Sequence, residues 1–546
     1  MGRGGRDIGR TLVEVETKTF QAVLGAMGSI GGSWEYSAYY TYGRSVNTEA
    51  RPENRITSRF NAALNAVDDP STQGVVDPVC AINIDANPAN DDPGCRPINL
   101  FGENRFSAES AAYVLGRSLT QSMMNQHVLQ GTIRGTPFFT WAGPVSIATG
   151  VEYRRLDLDV TSDATSAIRG YSNGGVVPYS GEVSVKEAFT EVQIPLAHDQ
   201  SWAKRLSVNL AGRITDYSTS GQVETSKVGI DYTINDALRF RATRSRDIRA
   251  PSLSELFAKG GTTQLTVTDG MLGSYLVTAA NAGNPLLTPE NANTFTAGVV
   301  FTPGFLPRFR ASIDYYDIDL GDAIISLTPA TIVDRCLSRA SPQLCQFIVR
   351  DANSTPSPNM IVQVNNFPAN LQSVKTSGID FEAQYSFPLN NGGEVRLQGL
   401  ATYIINSSIN DGVKTLRLDG SVEQPSVAAI GGSPKWRFNF NSTYKADWGR
   451  LSATARYIGP AKISRSYTPL DMSESNNSVS GRFYADISTE IYLINSGDDR
   501  RVSIFGVINN VLNNFPPITG TGGFGTSRAI YDTIGRTYSV GVRFKM

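Results

Sequence analysis

Residues 537–546 read TYSVGVRFKM, and their alternation of apolar and polar side chains decides the fold. Successive side chains of a β-strand point to opposite faces of the sheet. One face of this segment carries Ser539, Gly541 and Arg543. The other face is apolar and consists of Tyr538, Val540, Val542 and Phe544. Such a strand fits a transmembrane barrel, in which one face meets lipid and the other a watery lumen.

The same alternation recurs in seventeen segments from about residue 12 to the end of the chain. Short connections such as residues 31–33, 235–236 and 303–307 alternate with long polar ones, without a break in the pattern. Outer-membrane barrels have short periplasmic turns and longer extracellular loops. The sequence therefore predicts an all-β, transmembrane, antiparallel up-and-down barrel with long extracellular loops. A short helix is predicted near residues 108–115, in the first long connection.

The composition predicts one large domain over residues 1–546. No proline-rich linker or run of charge divides the chain, which is 40% hydrophobic and 18% charged. No run of about 18 apolar residues occurs, so the sequence contains no transmembrane helix. The net charge of -1 gives no electrostatic reason to expect a nucleic-acid partner.

The four cysteines form two close pairs, Cys80 with Cys95 and Cys336 with Cys345, both in long polar connections. Without nearby histidine, this spacing favours two local disulfides in an oxidising compartment over a metal site. The alternative is four free thiols in a cytosolic protein. Closing the first loop would stabilise the fold by roughly 3 kcal/mol.

The direction of the strands predicts that part of the barrel is missing. The last strand follows a long connection and therefore ends on the periplasmic side, and an odd count puts the start of the first strand outside. Bacterial barrels have even strand numbers, and here the first and last strands would run parallel if they paired. Residues 1–10, MGRGGRDIGR, are basic but lack the apolar region of a signal peptide. We therefore expect a chain truncated at its N-terminal side.

Several stretches resemble the C-terminal part of TonB-dependent outer-membrane receptors, in that family's order. They are SRDIRAPSLSELF at 245–257, NPLLTPE at 284–290, SGID at 377–380, NNVLNN at 509–514 and the ending from residue 535. The residues that carry the resemblance are Arg246, Asp247, Arg249, Pro251, Glu255, Phe257, Asn284, Pro285, Pro289, Glu290, Gly378, Asn509 and Asn510.

The resemblance implies a barrel of twenty-two strands closed around an N-terminal plug, so about five strands, the plug and the TonB-contacting box would be absent here. It also implies a place in the bacterial outer membrane, with lipid and lipopolysaccharide as neighbours. The barrel-assembly machinery would recognise the final strand, although Lys545 and Met546 extend beyond its last aromatic residue. The TonB complex would be a partner only if the missing N-terminal region were supplied.

The residues suggest no enzyme, cofactor or metal site. His127 and His198 have no catalytic partner nearby in sequence, and we expect solvated or lumen-facing side chains. The glycine-rich residues 519–525 lack the context of a phosphate-binding loop. Asp314, Asp317 and Asp319 are interpreted as wetting the lumen rather than as binding calcium.

The loop arginines leave two interpretations open. Arg244, Arg246 and Arg249 could bind an anionic ligand through charge-assisted bonds, or bond to the barrel wall or to lipopolysaccharide. We favour the structural interpretation, and likewise expect structural bonds for Glu255 and Glu290.

The main functional hypothesis is the barrel of a nutrient-uptake receptor for ferric siderophores, cobalamin or oligosaccharides, not competent for energised transport by itself. Its small-molecule or oligosaccharide ligand is not identified by the sequence. The alternatives are a passive porin-like channel, a non-functional gene fragment, and a soluble adhesin-like β protein.

Overall fold

The computed structural model describes residues 12–72, 74–100, 107–172, 175–270, 272–354, 357–410, 413–422, 431–465, 477–495, 501–519 and 525–545. Within these ranges one antiparallel sheet holds eighteen strands, of which Thr415–Arg417 is a short addition beside a longer neighbour. The other seventeen form the wall, and each pairs with the next wall strand along the chain.

The wall strands are numbered here in chain order. They are β1 Glu14–Gly31, β2 Trp34–Arg55, β3 Leu115–Gly135, β4 Ser146–Ser162, β5 Tyr179–Gln200, β6 Ala203–Tyr217, β7 Gly221–Thr233, β8 Leu238–Arg249, β9 Glu290–Phe301, β10 Phe309–Ser326, β11 Pro368–Pro388, β12 Glu394–Asn410, β13 Trp436–Ala446, β14 Gly449–Ile458, β15 Arg482–Asn495, β16 Arg501–Asn509 and β17 Thr537–Lys545.

These seventeen strands confirm the predicted number and order. The alternation in the sequence covers only the part of each strand that has apolar outward residues. Several strands extend beyond this part at the end of the wall where the long connections lie. The clearest case is β2, which runs to Arg55 although its apolar alternation ends at about residue 42. Strands that leave the lipid no longer need outward apolar residues, so hydrophobic alternation fades before the hydrogen-bonded ladder ends.

One predicted long connection is short. Strands β6 and β7 are joined by residues 218–220, on the side where the other connections are long. The two strands pair from Arg205–Thr233 to Tyr217–Gly221, which uses up the residues expected to form a loop. The alternation of short and long connections is therefore interrupted here.

The outward face of the wall is apolar and exposed. On β17, Tyr538, Val540, Val542 and Phe544 are between 54% and 81% exposed. On β7 and β8, Val228, Ile230 and Phe240 share this outward face. Water would penalise so many exposed apolar side chains, whereas acyl chains would not.

The two ends of the sheet run in the same direction. Strand β1 pairs only with β2, and β17 only with β16, in the described part of the chain. An odd number of alternating strands makes β1 and β17 parallel. An antiparallel barrel can close between these edges only if an odd number of further strands lies between them.

Helices and small sheets lie in the connections. The helices are α1 Thr57–Leu64, α2 Ala108–Val114, α3 Ala164–Ala167, α4 Leu253–Phe257 and α5 Pro329–Leu337, with 3-10 turns at Ala81–Asn83 and Pro342–Phe347. The short strands are Ala66–Asp68, Pro78–Cys80, Phe139–Thr140, Gly143–Pro144, Thr262–Asp269, Gly273–Asn281, Ile348–Asp351, Met360–Asn366, Ala461–Lys462 and Ser478–Val479. Helix α2 confirms the predicted helix, and Ser107 caps it by accepting a bond from the Ser110 amide.

Residues 1–10 lie outside the described residues, as do most of the glycine-rich stretch 519–525 and the final Met546.

Candidate functional site

A junction of ion pairs forms where β8 leaves the wall. The Arg249 guanidinium makes a bidentate pair with Glu290, with Nε–Oε2 and NH2–Oε1 distances of 2.7 Å. Its NH1 also donates to Glu255 Oε2 at 3.0 Å. Glu290 is buried and additionally accepts the Ile324 amide at 2.7 Å. One arginine therefore ties together β8, β9 and helix α4, while Glu290 extends the junction to β10.

Helix α4 is shaped by a capping box and a buried apolar face. The Ser252 hydroxyl accepts the Glu255 amide, and Glu255 accepts the Ser252 amide, directly after Pro251. Burial raises the pKa of Glu255, but hydrogen bonds from Arg249 and Ser252 outweigh it and hold this pKa below its usual range. The helix begins at Leu253, which packs with Val185 and Leu287.

Phe257 ends α4 and lies directly over Gly181 of β5. A Cβ added at Gly181 would overlap the Phe257 ring. The close approach of this ring requires a residue without a side chain on the strand.

The segment 284–290 is fastened to β11. The Asn284 side chain donates to the Pro368 carbonyl at 3.0 Å and accepts the Leu286 amide across Pro285. The Asn370 side chain holds both the amide and the carbonyl of Thr288, just before Pro289. The two stretches that resemble receptor motifs thus meet in one junction at the long-loop end of the wall.

The remaining motif residues support other parts of the wall. Gly378 on β11 leaves room for the Tyr316 hydroxyl, which a Cβ would overlap. Asn509 donates to Thr537 on β17 at 3.0 Å. The fully buried Asn510 donates its amide to Asp486 and its side chain to the Asn514 carbonyl. Its φ of +49° is one that asparagine tolerates better than most residues.

Three arginines considered together in the sequence are separated by the strand. Arg249 lies on the inward face of β8, like Arg239 and Arg241, whereas Arg244 and Arg246 lie on the outward face with Phe240. Asp247 shares the inward face and accepts the Ser245 hydroxyl at 2.7 Å. Because Arg244 and Arg246 face away from the lumen, a ligand inside the lumen can reach only the side chain of Arg249.

The expectation that Asp314, Asp317 and Asp319 all wet the lumen was wrong for two of them. Asp314 faces inward and pairs with Arg241 at 2.8 Å, but Asp317 and Asp319 are an odd number of residues away and face outward. His127 also faces outward, beside Tyr42, with its Nδ1 2.8 Å from the Tyr40 hydroxyl.

Most other charges on the inward face form ion pairs within one strand, between adjacent strands or across one intervening strand. Besides the Arg241–Asp314 pair, these are Arg154–Glu152, Arg213–Glu187, Lys227–Glu191, Arg239–Asp231, Arg456–Asp486 and Arg543–Glu490.

The cysteines form two disulfides, Cys80–Cys95 and Cys336–Cys345, as predicted. The first packs with Phe60, Tyr113 and Val114. There burial and a hydrogen bond to Asp92 raise the pKa of Tyr113 to about 12. The second links α5 to the following 3-10 turn.

Two distant loops share a four-stranded sheet, called the cap here, made of Thr262–Asp269, Gly273–Asn281, Ile348–Asp351 and Met360–Asn366. Residues 278–281 pair in parallel with residues 363–366. Buried Asp269 accepts two bonds from Arg350, at 2.7 and 3.0 Å, and one from Tyr275. The Arg350 bonds, against the opposing effect of burial, lower the pKa of Asp269.

A recess of about 680 Å³ lies between β12–β15 and residues 528–535, and sequence reasoning missed it. Three arginines line it, Arg437, Arg456 and Arg528, together with Tyr484, Tyr531 and Asp532. The two-residue alternation places Arg437, Asn439 and Arg456 on the inward face, so the wall side of the recess could have been predicted from the sequence. Residues 528–535 follow no such alternation, so the loop side could not.

No group of three or more His, Cys, Asp or Glu side chains in the described ranges is arranged to hold a metal ion. The helices in these ranges are all too short or too polar to cross a membrane.

Several solved structures share this fold, and their names describe siderophore receptors. The siderophore receptor PirA from Acinetobacter baumannii has 14% identity and a TM-score of 0.58, over 97% of this chain and 63% of that one. A mutant of the ferric enterobactin receptor PfeA from Pseudomonas aeruginosa has 13% identity and a TM-score of 0.57, over 96% and 62%. The ferric-catecholate import receptor Fiu from E. coli K12 has 13% identity and a TM-score of 0.50, over 92% and 60%.

The chain thus spans less than two thirds of the length of these receptors. No curated protein sequence matches it significantly. A family model described as TonB dependent receptor-like, beta-barrel, matches residues 3–511. This chain belongs to the TonB-dependent receptor β-barrel family of the bacterial outer membrane.

Proposed function

We propose that this chain forms the barrel of an uptake receptor that captures a nutrient too large for porins, of the ferric siderophore, cobalamin or oligosaccharide class. The observation that best supports this proposal is the Arg249–Glu255–Glu290 junction, which anchors the long loops to the wall. Loops held in this way, including the cap, can present a fixed surface to a ligand outside the cell. The named ligands of PirA, PfeA and Fiu favour the siderophore class.

We further propose that energised transport requires elements in addition to the seventeen wall strands. The parallel edges β1 and β17 support this, because an odd number of strands must join them. A plug and a TonB-contacting segment, as the family resemblance implies, would complete the energised transporter. Lipopolysaccharide, the assembly machinery and the TonB complex are its proposed partners.

The test is accumulation of iron-55 siderophores by cells that carry the gene at its native locus. We expect accumulation that stops when the gene or the TonB complex is deleted. Accumulation unaffected by either deletion would refute the proposal. Steady ion conductance of the purified chain in planar bilayers would instead support the passive channel, and absence of the protein from the outer membrane would support a non-functional gene.

A further inference from the structure

A second recess, called the turn-side recess here, lies at the short-turn end of β5–β10. Its volume is about 880 Å³, and five cationic side chains and two carboxylates of the described residues line it. The cationic residues are Lys204, Arg205, Arg239, Arg308 and Arg310. The short turns of outer-membrane barrels face the periplasm. The turn-side recess therefore places an excess of positive charge at the periplasmic end of the wall.

The strand register places the arginines of the recess on the lumen side. Arg205 lies opposite Thr233, and Thr233 lies opposite Arg239, so all three share the inward face. Arg310 is four residues before the inward-facing Asp314 on β10 and shares its face. Because these side chains point into the lumen, they are directed away from the lipid around the wall.

Three of the five cations have no carboxylate partner. Lys204 and Arg239 are each paired with an aspartate. The other three, Arg205, Arg308 and Arg310, are exposed and form no ion pair with any residue that the structure describes. By contrast, the inward arginines nearer the middle of β4, β6 and β8 are paired one to one. The uncompensated charge is therefore a property of the turn-side end of these strands.

A buried hydroxyl in the turn-side recess also lacks a partner. The Oγ1 atom of Thr233 is buried and forms no hydrogen bond with any residue that the structure describes. Buried polar groups in native proteins are almost always satisfied by protein, water or ligand. Thr233 lies between Arg205 and Arg239 in the register. The recess thus offers a hydroxyl beside guanidinium groups, a combination that suits a carboxylate.

The excess of cations continues along the same end of the wall to β14. Arg396 on β12, Lys445 on β13 and Arg450 on β14, called the rim cations here, lie close to the short turns and share one face. This is the inward face, because the ladder across β11 connects it with Arg310. The rim cations are exposed and form no ion pair within the described part of the chain. Glu394 shares this face without pairing with any of them.

The row of cations is too long for one small anion. Adjacent strands lie about 4.8 Å apart, so the distance along the wall from β6 to β14 is roughly 40 Å. A small anion can contact only one or two of these side chains. An extended polypeptide of about twelve residues has the required length and can place several carboxylates along the row. Arginine pairs with carboxylates through two hydrogen bonds and keeps its charge at any physiological pH.

We infer that the turn-side recess and the rim cations form a docking surface for an acidic segment of a separate periplasmic protein. This inference goes beyond the proposed function and does not depend on which nutrient is taken up. The positive potential speeds the encounter from the periplasm, and the recess holds the carboxylates of the segment.

Fluorescence anisotropy of the full chain, extracted in detergent from the outer membrane, tests the inference. The probe is a labelled peptide of alternating Glu and Gly, about twelve residues long, compared with its Gln and Gly counterpart and with an oligothymidylate of equal charge. We expect the acidic peptide to bind, with an affinity that falls about tenfold or more between about 50 and 500 mM salt, and the neutral peptide not to bind. A benzophenone on the acidic peptide should crosslink to residues 302–310.

Charge-reversed variants locate the surface. Arg205→Glu with Arg310→Glu should weaken binding of the acidic peptide about tenfold or more, because like charges then face each other. The matched control is Arg244→Glu with Arg246→Glu, which changes the net charge equally but on the outward face of β8. This control should leave the affinity within about twofold. Heat-modifiable mobility on gels shows whether each variant is folded.

Three outcomes would overturn the inference: no binding of the acidic peptide by folded chain, equal weakening by both variant pairs, or tighter binding of the oligothymidylate. Crosslinks confined to the long loops would also overturn it. The uptake experiment is independent, because cells that accumulate a nutrient through TonB retain the proposed function even if the acidic peptide does not bind.

Discussion

The guanidinium of Arg249 and the carboxylate of Glu290 form a bidentate ion pair, with two hydrogen bonds of 2.7 Å, between the adjacent strands β8 and β9. Glu290 is buried, whereas the Arg249 side chain is 47% exposed. The pair connects the first residue of β9 to the last residue of β8. It therefore fixes both ends of the loop that contains α4.

Arg249→Ala should loosen this loop. The substitution leaves Glu290 buried without its cation and removes a bond to Glu255, which should cost about 2 kcal/mol of local stability. Hydrogen exchange of residues 250–289 should accelerate accordingly. Arg246→Ala is the control, since that exposed side chain faces outward and forms no ion pair with any residue that the structure describes. Its effect should stay below about 0.5 kcal/mol.

Gly181→Ala should displace Phe257. The added methyl group overlaps the ring, and overpacking of this kind costs typically 1–3 kcal/mol. A double-mutant cycle with Phe257→Ala should show strong non-additivity, because the second change removes the clash. Gly212→Ala has open space around its Cβ and serves as the matched control. Equal unfolding free energies for the two glycine variants would contradict the contact.

The disulfides should stabilise their loops rather than the wall. Cys336→Ser with Cys345→Ser opens a crosslink of sequence separation 9, and the chain-entropy model gives roughly 2.5 kcal/mol of lost stability. Chymotrypsin should cut residues 329–347 faster, while the thermal midpoint of the wall stays unchanged. A large fall in that midpoint would show that the loop and the wall unfold as one unit.

The cap should weaken in acid. The bonds from Arg350 depress the pKa of folded Asp269, so their stabilisation is complete above the unfolded value near about 3.9. It is lost as the pH falls through the folded pKa. Pepsin should therefore cut residues 262–281 of the unmodified protein faster as the pH falls from 4 to 2. In the control, Asp269→Asn, the cap is weaker but does not depend on this titration, so its rate of cutting should change less over the same range. Parallel pH profiles for both proteins would disprove this coupling.

The two faces of β17 should respond differently to charge. Val540→Arg places a cation against lipid and should cost about 2–4 kcal/mol near the bilayer centre. Ser539→Arg, one residue away, points into the lumen and should be nearly neutral. Denaturant unfolding in lipid vesicles measures both. If Ser539→Arg proved the more damaging change, the assignment of the faces would be wrong.

The wall was predictable from sequence because lipid imposes a two-residue period on every strand that crosses it. The same two-residue period could have shown that Arg249 lies on the opposite face from Arg244 and Arg246, and Asp314 on the opposite face from Asp317. Residues an odd number of positions apart on a strand point to opposite faces. His127 is an even number of residues from the outward Leu129, so its position was equally readable.

The loops were harder to predict because their structure depends on partners far along the chain. Thr262–Asp269 and Met360–Asn366 belong to one sheet but are separated by the whole of β9 and β10. Their sequences show no membrane period, and the parallel pairing of residues 278–281 with 363–366 has no local signature. The recess likewise combines wall residues with a loop almost a hundred residues away from Arg437.

The parallel pairing of residues 278–281 with residues 363–366 constrains how the two loops of the cap can evolve. A segment inserted into either loop would shift one strand against the other and expose unpaired backbone groups, unless the second loop changed to match. The two loops should therefore be inherited, and exchanged between receptors, as a single unit.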